Sequence, residues 1–277
     1  MAAKLTPSPQ ADAADPPAKA LKSSVQSLAK GLRILETFAG DDEPLTVTEI
    51  AERAELDPGT AFRMLNTLVA LGYVTRSEKR RYALSLKVLD LGFNAIGRRD
   101  LRASVRPILR GLVGDKIEAA SFGVLEGPNV IYVERVRAGL TRLGVDIRVG
   151  SAMPAAINIL GQAILAHLPK ADLDQALAKE GAAAGYPVVS RARLLPQLQK
   201  IKDAGFAADG SLISAGLNVL AVPVCDDEGY PIAAVSVAAP SLTCSSDHLR
   251  DDALKRVRAA ATDIAKVMQI SGTSRFG

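Results

Sequence analysis

Residues 46–73 read TVTEIAERAELDPGTAFRMLNTLVALGY, and this stretch decides the fold of the N-terminal part of the chain. It opens with Thr46-Val47-Thr48-Glu49, a capping box in which the Thr46 hydroxyl accepts the Glu49 amide while the Glu49 carboxylate reaches back. The pattern predicts a short helix from there to about Glu55. Asp57-Pro58-Gly59 then supplies a turn, an N-cap and a proline at the first helical position, so a second helix follows a tight turn.

The second of these helices has one apolar face and one polar face. Residues at helical spacing form the apolar face and predict the side that packs on the core: Ala61, Met64, Leu65, Leu68, Val69 and Leu71. The opposite face is small, polar and basic, and it consists of Gly59, Thr60, Arg63, Asn66 and Thr67. Two helices joined by a short turn, the second with a polar N-terminal face, fit a helix that lies in the DNA major groove.

Elements on both sides extend this unit to residues 23–85. Before it, an apolar stripe predicts a first helix that ends near Gly40: Val25, Leu28, Leu32, Ile34, Leu35 and Phe38. After it, Tyr73–Arg76 and Arg81–Leu84 predict a β-hairpin, the wing, around the charged tip Ser77–Arg80. This order of elements is typical of a winged helix-turn-helix DNA-binding domain.

Several side chains of this unit suit contact with double-stranded operator DNA. Arg63 can pair bidentately with guanine, Asn66 can read a base edge or the backbone, and Thr60 can donate to a phosphate or touch a thymine methyl. The candidate DNA-contacting residues are Gln26, Ser27, Thr46, Thr48, Gly59, Thr60, Arg63, Asn66, Thr67, Lys79, Arg80 and Arg81. Taken singly, each is equally compatible with a solvated residue on a small helical domain.

The composition sets the broad class of protein. A chain of 277 residues accommodates two domains, and 34 basic against 30 acidic residues permit nucleic-acid binding without requiring it. Residues 1–22 lack the apolar run of a signal peptide and predict a disordered tail. Two cysteines and no Cys/His cluster predict no metal, no cofactor and a reducing cytoplasm. No apolar stretch is long enough to predict a membrane span.

Residues 86–113 have helical apolar spacing and predict a linker helix, which Pro107 kinks or splits. Positive residues recur along it: Arg98, Arg99, Arg102, Arg106 and Arg110. We interpret these arginines as a solvated helix face in preference to direct DNA contacts.

Residues 114–272 predict an α+β domain with one sheet. The segments with β character are Ala119–Leu125, Val130–Val136, Leu143–Val149, Leu217–Cys225 and Ile232–Ala238. The helical segments are Ile157–Leu168, Leu173–Glu180, Arg191–Ala204 and Leu249–Ile270.

The residues of this domain do not favour catalysis. A Ser-His-Asp arrangement needs a histidine, and His167 and His248 both lie outside a nucleophile-elbow context. No GxSxG, HExxH, Walker or GxGxxG motif occurs in the strand-turn-helix setting that it requires. We therefore predict that the chain is not an enzyme and has no catalytic residues.

A small-molecule site is predicted where Gly150–Ala156 leads from a strand into a helix. The first amides and the positive end of that helix can hold a carboxylate. Arg148 or Arg142 can supply the counter-charge, although exposed strand arginines are usually only solvated.

The N-terminal unit also resembles the DNA-binding domain of the IclR family of bacterial transcription regulators. The stretches that carry this resemblance are Ser24–Leu35, Thr48–Ala51, Thr60–Leu68 and Leu71–Tyr73. The resemblance continues through Ser85–Gly92, Glu118–Ser121, Ile131–Val133, Gly150–Pro154, Leu217–Val224 and Ala233–Ser236. It implies a C-terminal effector-binding domain with a curved antiparallel sheet and helices on its convex side, joined through the linker helix, in a dimer or a dimer of dimers.

The same resemblance implies where an effector lies. The candidate ligand-binding residues are Arg148, which the strand pattern supplies, and Gly150, Ser151, Asn158, Asp209, Ser211, Asn218 and Ser236, which the resemblance supplies. The opening run and the spacing around Thr46–Leu56 look most similar to regulators of aromatic-acid breakdown through the protocatechuate and β-ketoadipate routes.

The hypothesis from sequence is a transcriptional regulator of a catabolic operon. Its affinity for operator DNA would change when a small aromatic or keto carboxylic acid binds the C-terminal domain. The alternative is a DNA-binding protein whose C-terminal domain serves only for oligomerisation and senses no ligand.

Overall fold

The computed structural model describes residues 25–38, 43–89, 91, 99–139, 147–178, 186–210 and 216–270. The chain divides into two compact units, residues 1–91 and residues 92–277. The predicted tail, residues 1–22, and Gly40 lie outside the described residues. Among the described helices, none combines the length and the apolar character that crossing a bilayer requires.

The first unit has the predicted helix-turn-helix and hairpin. Its elements are α1 (Gln26–Glu36), α2 (Val47–Arg53), α3 (Pro58–Ala70), β1 (Val74–Arg76) and β2 (Tyr82–Leu84). The two strands pair antiparallel, and Leu45 forms an additional bridge to Tyr82. Helix α2 ends at Arg53, earlier than predicted, because Glu55 adopts a positive φ of 54° and turns the chain toward α3.

Both predicted caps are present at the starts of α2 and α3. The Thr46 amide donates to Glu49 Oε2 at 2.7 Å, and the Glu49 amide donates to Thr46 Oγ1 at 3.3 Å. Asp57 Oδ1 accepts the Thr60 amide at 2.8 Å, with Pro58 at the first helical position. These local bonds satisfy backbone donors that a helix start leaves open, and they fix the turn between the two helices.

The apolar stripe predicted for α1 is only partly buried. Ile34 and Phe38 lie in the core of the first unit, whereas Val25, Leu28 and Leu32 are each more than half exposed. The predicted first helix is present, and only its C-terminal turns pack into the core.

The second unit is built on a six-stranded antiparallel sheet. Its elements are α4 (Arg99–Arg110), β3 (Ala119–Glu126), β4 (Asn129–Arg137), β5 (Ala152–Pro154), α5 (Ile159–Leu165), α6 (Lys170–Ala178), α7 (Arg191–Ala204), β6 (Ala207–Gly210), β7 (Leu217–Cys225), β8 (Pro231–Pro240) and α8 (Ser246–Ile270). The strand order is β5-β4-β3-β8-β7-β6. The α+β class with a curved antiparallel sheet is confirmed.

Two details of this unit differ from the sequence expectations. Of the predicted strand Leu143–Val149, residues 143–146 lie outside the described residues and residues 147–149 are not extended into a strand. A tight turn, in which the Ser151 amide donates to the Arg148 carbonyl, delays the strand to β5. Strand β6 was not predicted because it is short and lies at the sheet edge. The linker helix is described only in part, since residues 90 and 92–98 lie outside the description.

The sheet has two covered faces, which we name by the helices on them. The α8 face carries Phe122, Leu220 and Val235, which pack with α4 and α8. The α5 face carries Tyr132 and Ala234, which pack with α5.

Helix α5 lies very close to its face of the sheet. A Cβ on Gly123 of β3 would stand 2.7 Å from Leu160 Cδ2, and a Cβ on Gly161 of α5 would stand 2.5 Å from Ala155 Cα. Both positions therefore require glycine if α5 is to keep this contact.

A buried carboxylate attaches α4 to the α8 face. Glu134 on β4 is 1% exposed and accepts Arg102 Nε at 3.0 Å and Arg106 Nη1 at 2.9 Å. The Arg135 amide donates to the same carboxylate at 3.0 Å. The interpretation of a solvated helix face is therefore wrong for Arg102, which is mostly buried, and incomplete for Arg106, which is half exposed but also reaches the buried carboxylate.

Removal of both arginines tests this ion pair. In the double variant Arg102→Ala, Arg106→Ala, the carboxylate keeps the Arg135 amide but loses both cations. We expect the free energy of unfolding to fall by about 3–5 kcal/mol, because a buried charge is left without compensation. Urea denaturation of the full chain at pH 7 measures this loss as the change in the free energy of unfolding of the second unit.

The control variant is Arg110→Ala, which removes an exposed positive charge from the last position of α4. Adding Glu134→Gln to the double variant should restore part of the stability, because no buried charge then remains. A double variant as stable as the control would contradict this role of the ion pair.

Candidate DNA-binding surface and effector site

The exposed face of α3 carries three of the predicted DNA-contacting residues. Gly59, Arg63 and Asn66 are all exposed and lie opposite the buried residues Ala61 and Leu65. The guanidinium of Arg63 donates from Nη2 to Thr60 Oγ1 at 2.9 Å. This bond restricts the orientation of Arg63 on the exposed face, which favours a directed contact with a base edge.

Thr60 does not point outward as predicted. It is 7% exposed, and its hydroxyl accepts the hydrogen bond from the Arg63 guanidinium. Hydrogen bonds from the Thr60 hydroxyl and amide lower the pKa of the Asp57 carboxyl below its usual value. Thr60 therefore completes the cap of α3 and positions Arg63.

Thr67 and Ser27 lie at an apolar groove between α3 and α1. The groove has a volume of about 550 Å³ and is lined by exposed leucines that include Leu28, Leu32 and Leu71. The Thr67 hydroxyl donates to the Arg63 carbonyl at 3.1 Å. Both predicted residues are thus on the α1 side of α3, away from the centre of its exposed face.

The wing presents two exposed cations at its tip. Lys79 and Arg80 are exposed, and Arg80 adopts a positive φ of 55° in the turn. Arg81 differs from them, since its Nη1 donates to the Pro44 carbonyl at 2.8 Å and is held against the body of the unit. The sequence reasoning missed Arg76, which is exposed and lies 5.7 Å from the centre of the Tyr82 ring.

The start of α2 carries the remaining candidates on this helix. Thr48 is exposed, whereas the Thr46 hydroxyl is occupied by the capping box and donates to Glu49 Oε2 at 2.8 Å. The backbone and hydroxyl bonds from Thr46 lower the pKa of the Glu49 carboxyl. Gln26 is exposed at the first residue of α1.

Lys87, which the sequence reasoning also missed, closes the other end of α3. Its Nζ donates to the Leu71 carbonyl at 2.8 Å and lies 4.8 Å from the centre of the Tyr73 ring. A cation at this position satisfies a terminal carbonyl and interacts favourably with the helix dipole.

In the second unit, a polar row crosses the α5 face of the sheet. Ser236 of β8 pairs with Ser121 of β3, and Ser121 pairs with Arg135 of β4. Arg135 is half-buried, and its Nη1 donates to Ser121 Oγ at 2.8 Å. Of these residues, sequence reasoning identified Ser236 only.

Asn158 lies near this row at the start of α5. It is 4% exposed, its side-chain oxygen accepts the Leu160 amide at 2.9 Å, and its Nδ2 donates to the Tyr132 hydroxyl at 2.8 Å. Burial raises the pKa of Tyr132, and the Asn158 bond and the charge of Arg135 oppose that rise. Asn158, Tyr132 and Arg135 therefore form one electrostatic neighbourhood.

Asn218 is on the other side of the sheet from these residues. It lies two residues before Leu220 on β7, so the two side chains share the α8 face. Its Nδ2 donates to the Cys244 carbonyl at 2.8 Å. The expectation that Asn218 shares a ligand site with Asn158 and Ser236 is wrong, because the alternation of side chains along β7 directs it away.

The remaining ligand candidates are spread around the α5 face or undescribed. Gly150 and Ser151 form the turn before β5, where the Arg148 amide donates to Ser151 Oγ at 3.0 Å, and Arg148 is exposed. Asp209 lies opposite Val219 in β6, while Ser211 and Arg142 lie outside the described residues. Among the described residues, no cluster of three or more His, Cys, Asp or Glu side chains is placed to hold a metal ion.

Comparison with known proteins agrees with both halves of this arrangement. The family model described as the IclR helix-turn-helix domain matches residues 27–78, and the one described as the bacterial transcriptional regulator IclR C-terminal domain matches residues 93–266. The Pca regulon regulatory protein of Pseudomonas putida is 29% identical over 240 residues, which are 86% of this chain and 82% of that protein.

Two further proteins extend the comparison. The regulator KdgR of Escherichia coli is 29% identical over 233 residues, covering 82% of this chain and 87% of that protein. An IclR homologue from Microbacterium hydrocarbonoxydans, solved in complex with 4-hydroxybenzoate, is 26% identical with a TM-score of 0.71 and covers 88% of this chain and 99% of that one. The chain therefore belongs to the IclR family of bacterial transcriptional regulators, which join a helix-turn-helix DNA-binding domain to a C-terminal effector-binding domain.

Proposed function

We propose that this protein regulates a catabolic operon in the cytoplasm by binding operator DNA, and that a small carboxylic acid in its second unit changes this binding. The observation that carries the proposal is the exposed face of α3. There Arg63 lies between Gly59 and Asn66, in the same compact unit as the exposed cations Lys79 and Arg80. A directed side chain for bases together with exposed cations for phosphates is the arrangement that specific operator recognition uses.

The two kinds of cation should contribute differently to recognition. Arg63 is oriented by Thr60 and suits a bidentate contact with guanine. Lys79 extends from the wing tip and suits a phosphate, which is the same in every sequence.

Substitution of each cation separates these roles. Arg63→Ala should weaken binding to the operator by roughly 1–3 kcal/mol and weaken binding to random DNA far less. Lys79→Ala should weaken both alike. Fluorescence anisotropy at fixed salt, with an operator selected from random duplexes, measures the affinities of the wild type and of both variants for the two DNAs. Equal losses on both DNAs for Arg63→Ala would assign Arg63 to phosphate contact.

The proposed effector is a carboxylic acid of the aromatic or keto type. Support comes from the polar groups on the α5 face and from two relatives. One relative is the Pca regulon regulatory protein, and the other is the homologue solved with 4-hydroxybenzoate. The α5 face also joins buried polar side chains to small apolar ones, which is the usual composition of a small-molecule site.

Acid binding should raise the thermal stability of the second unit. A ligand that binds only the native state, at a concentration 100 times its dissociation constant, adds about 2.7 kcal/mol to the free energy of unfolding. We expect at least one acid among 4-hydroxybenzoate, protocatechuate and β-ketoadipate to raise the unfolding temperature of the full chain in a concentration-dependent manner. No stabilisation by any of them would favour the alternative, a second unit that serves only for oligomerisation.

We also propose that the protein acts as a homodimer or a dimer of dimers. The apolar groove between α1 and α3 supports this, because Leu28, Leu32 and Leu71 are each more than half exposed. Exposed apolar patches of this kind mark interaction surfaces.

A further inference from the structure

We propose that Arg135 is the residue that recognises the carboxylate of the effector, with Ser121 and Ser236 beside it. This inference rests on the proposed function, namely that an acid binds in the second unit. It assigns the counter-charge to a residue of β4 and not to Arg148, which is exposed at the turn before β5.

The position of Arg135 in the sheet is fixed by strand pairing. Ser236, Ser121 and Arg135 occupy consecutive positions of one row across β8, β3 and β4, and all three are on the α5 face. Neighbouring strands are about 4.8 Å apart, so a small acid can span this row. The bond from Arg135 Nη1 to Ser121 Oγ, 2.8 Å long, holds the guanidinium along the row.

The side chains around the row are small and buried from solvent. Ala119 and Ala238 pair with one another in the neighbouring row, and both are buried, as are Ser121 and Ser236. The small side chains at these four positions project only a short way from the sheet next to Arg135. In such a partly dry environment, attraction between a guanidinium and a carboxylate is stronger than at the surface.

The charge of Arg135 reaches the groups at the start of α5. It opposes the rise in the pKa of Tyr132, whose hydroxyl accepts the side-chain amide of Asn158 at 2.8 Å. A carboxylate at Arg135 therefore places the rest of the ligand between the sheet row and these two polar side chains.

Other arginines of this unit are placed less well for the same task. Arg102 and Arg106 bind Glu134 on the α8 face. Arg137 is exposed at the last position of β4. Arg135 combines a place in the polar row of the α5 face, partial burial and an orientation held by Ser121.

The test compares an acid with its neutral amide. Isothermal titration of the full chain measures binding of 4-hydroxybenzoate and of 4-hydroxybenzamide, which differ in charge but scarcely in shape. In Arg135→Gln, affinity for the acid should fall by about 10- to 100-fold, while affinity for the amide should be unchanged. Arg135→Lys keeps the charge and should retain part of the preference for the acid.

Arg110→Gln removes an exposed positive charge elsewhere in the same unit and serves as the control, with no expected change in either affinity. A merely structural Arg135 would lower the unfolding temperature but leave the ratio of acid to amide affinity as in the wild type, and that result would overturn the inference alone. If Arg135→Gln does not fold, two other variants decide. A ratio of acid to amide affinity that is unchanged in both Arg135→Lys and Ser121→Ala overturns the inference. If the wild type binds neither this acid nor protocatechuate or β-ketoadipate, the proposed function fails and the inference fails with it.

Discussion

The buried carboxylate of Glu134 is the interaction on which the second unit depends. A carboxylate that is only 1% exposed is tolerated when cations and amides compensate it, and here Arg102, Arg106 and the Arg135 amide do so. Helix α4 therefore cannot leave the α8 face without exposing or stranding this charge. Helix α4 is the first described element of the second unit, so this ion pair holds the start of that unit against its sheet.

Strand β4 carries both the residue that attaches α4 and the residue that we propose binds the acid. Glu134 and Arg135 are consecutive, and their side chains lie on opposite faces of the sheet, the first toward α4 and the second toward the α5 face. A single peptide group therefore joins the residue that binds α4 to the residue on the α5 face. Under the proposed function, a ligand at Arg135 acts on α4 only if it favours one position of this strand over another.

The sequence predicted what local chemistry determines. The caps at Thr46 and Asp57 bond to groups three residues away, so the helix-turn-helix and its hairpin were predictable from neighbours along the chain. Glu134 meets its arginines 28 and 32 residues away, which no local pattern shows. The β-bulge opposite Phe122 and Gly123 also places Val133 and Glu134 on the same face, so simple alternation misassigns β4 and conceals Arg135. Thr60 was misplaced because the fold-back of Arg63 is a side-chain choice that helical spacing does not determine.

The central claim is that acid binding and operator binding are coupled through one protein. Thermodynamic linkage requires the coupling to be reciprocal, so the acid must change operator affinity by the same factor as the operator changes acid affinity. The most direct measurement is the dissociation constant of a bound acid with and without saturating operator, beside that of the operator with and without saturating acid. The account predicts two equal ratios that differ from one, with coupling of about 5- to 150-fold. Ratios of one for both would contradict it.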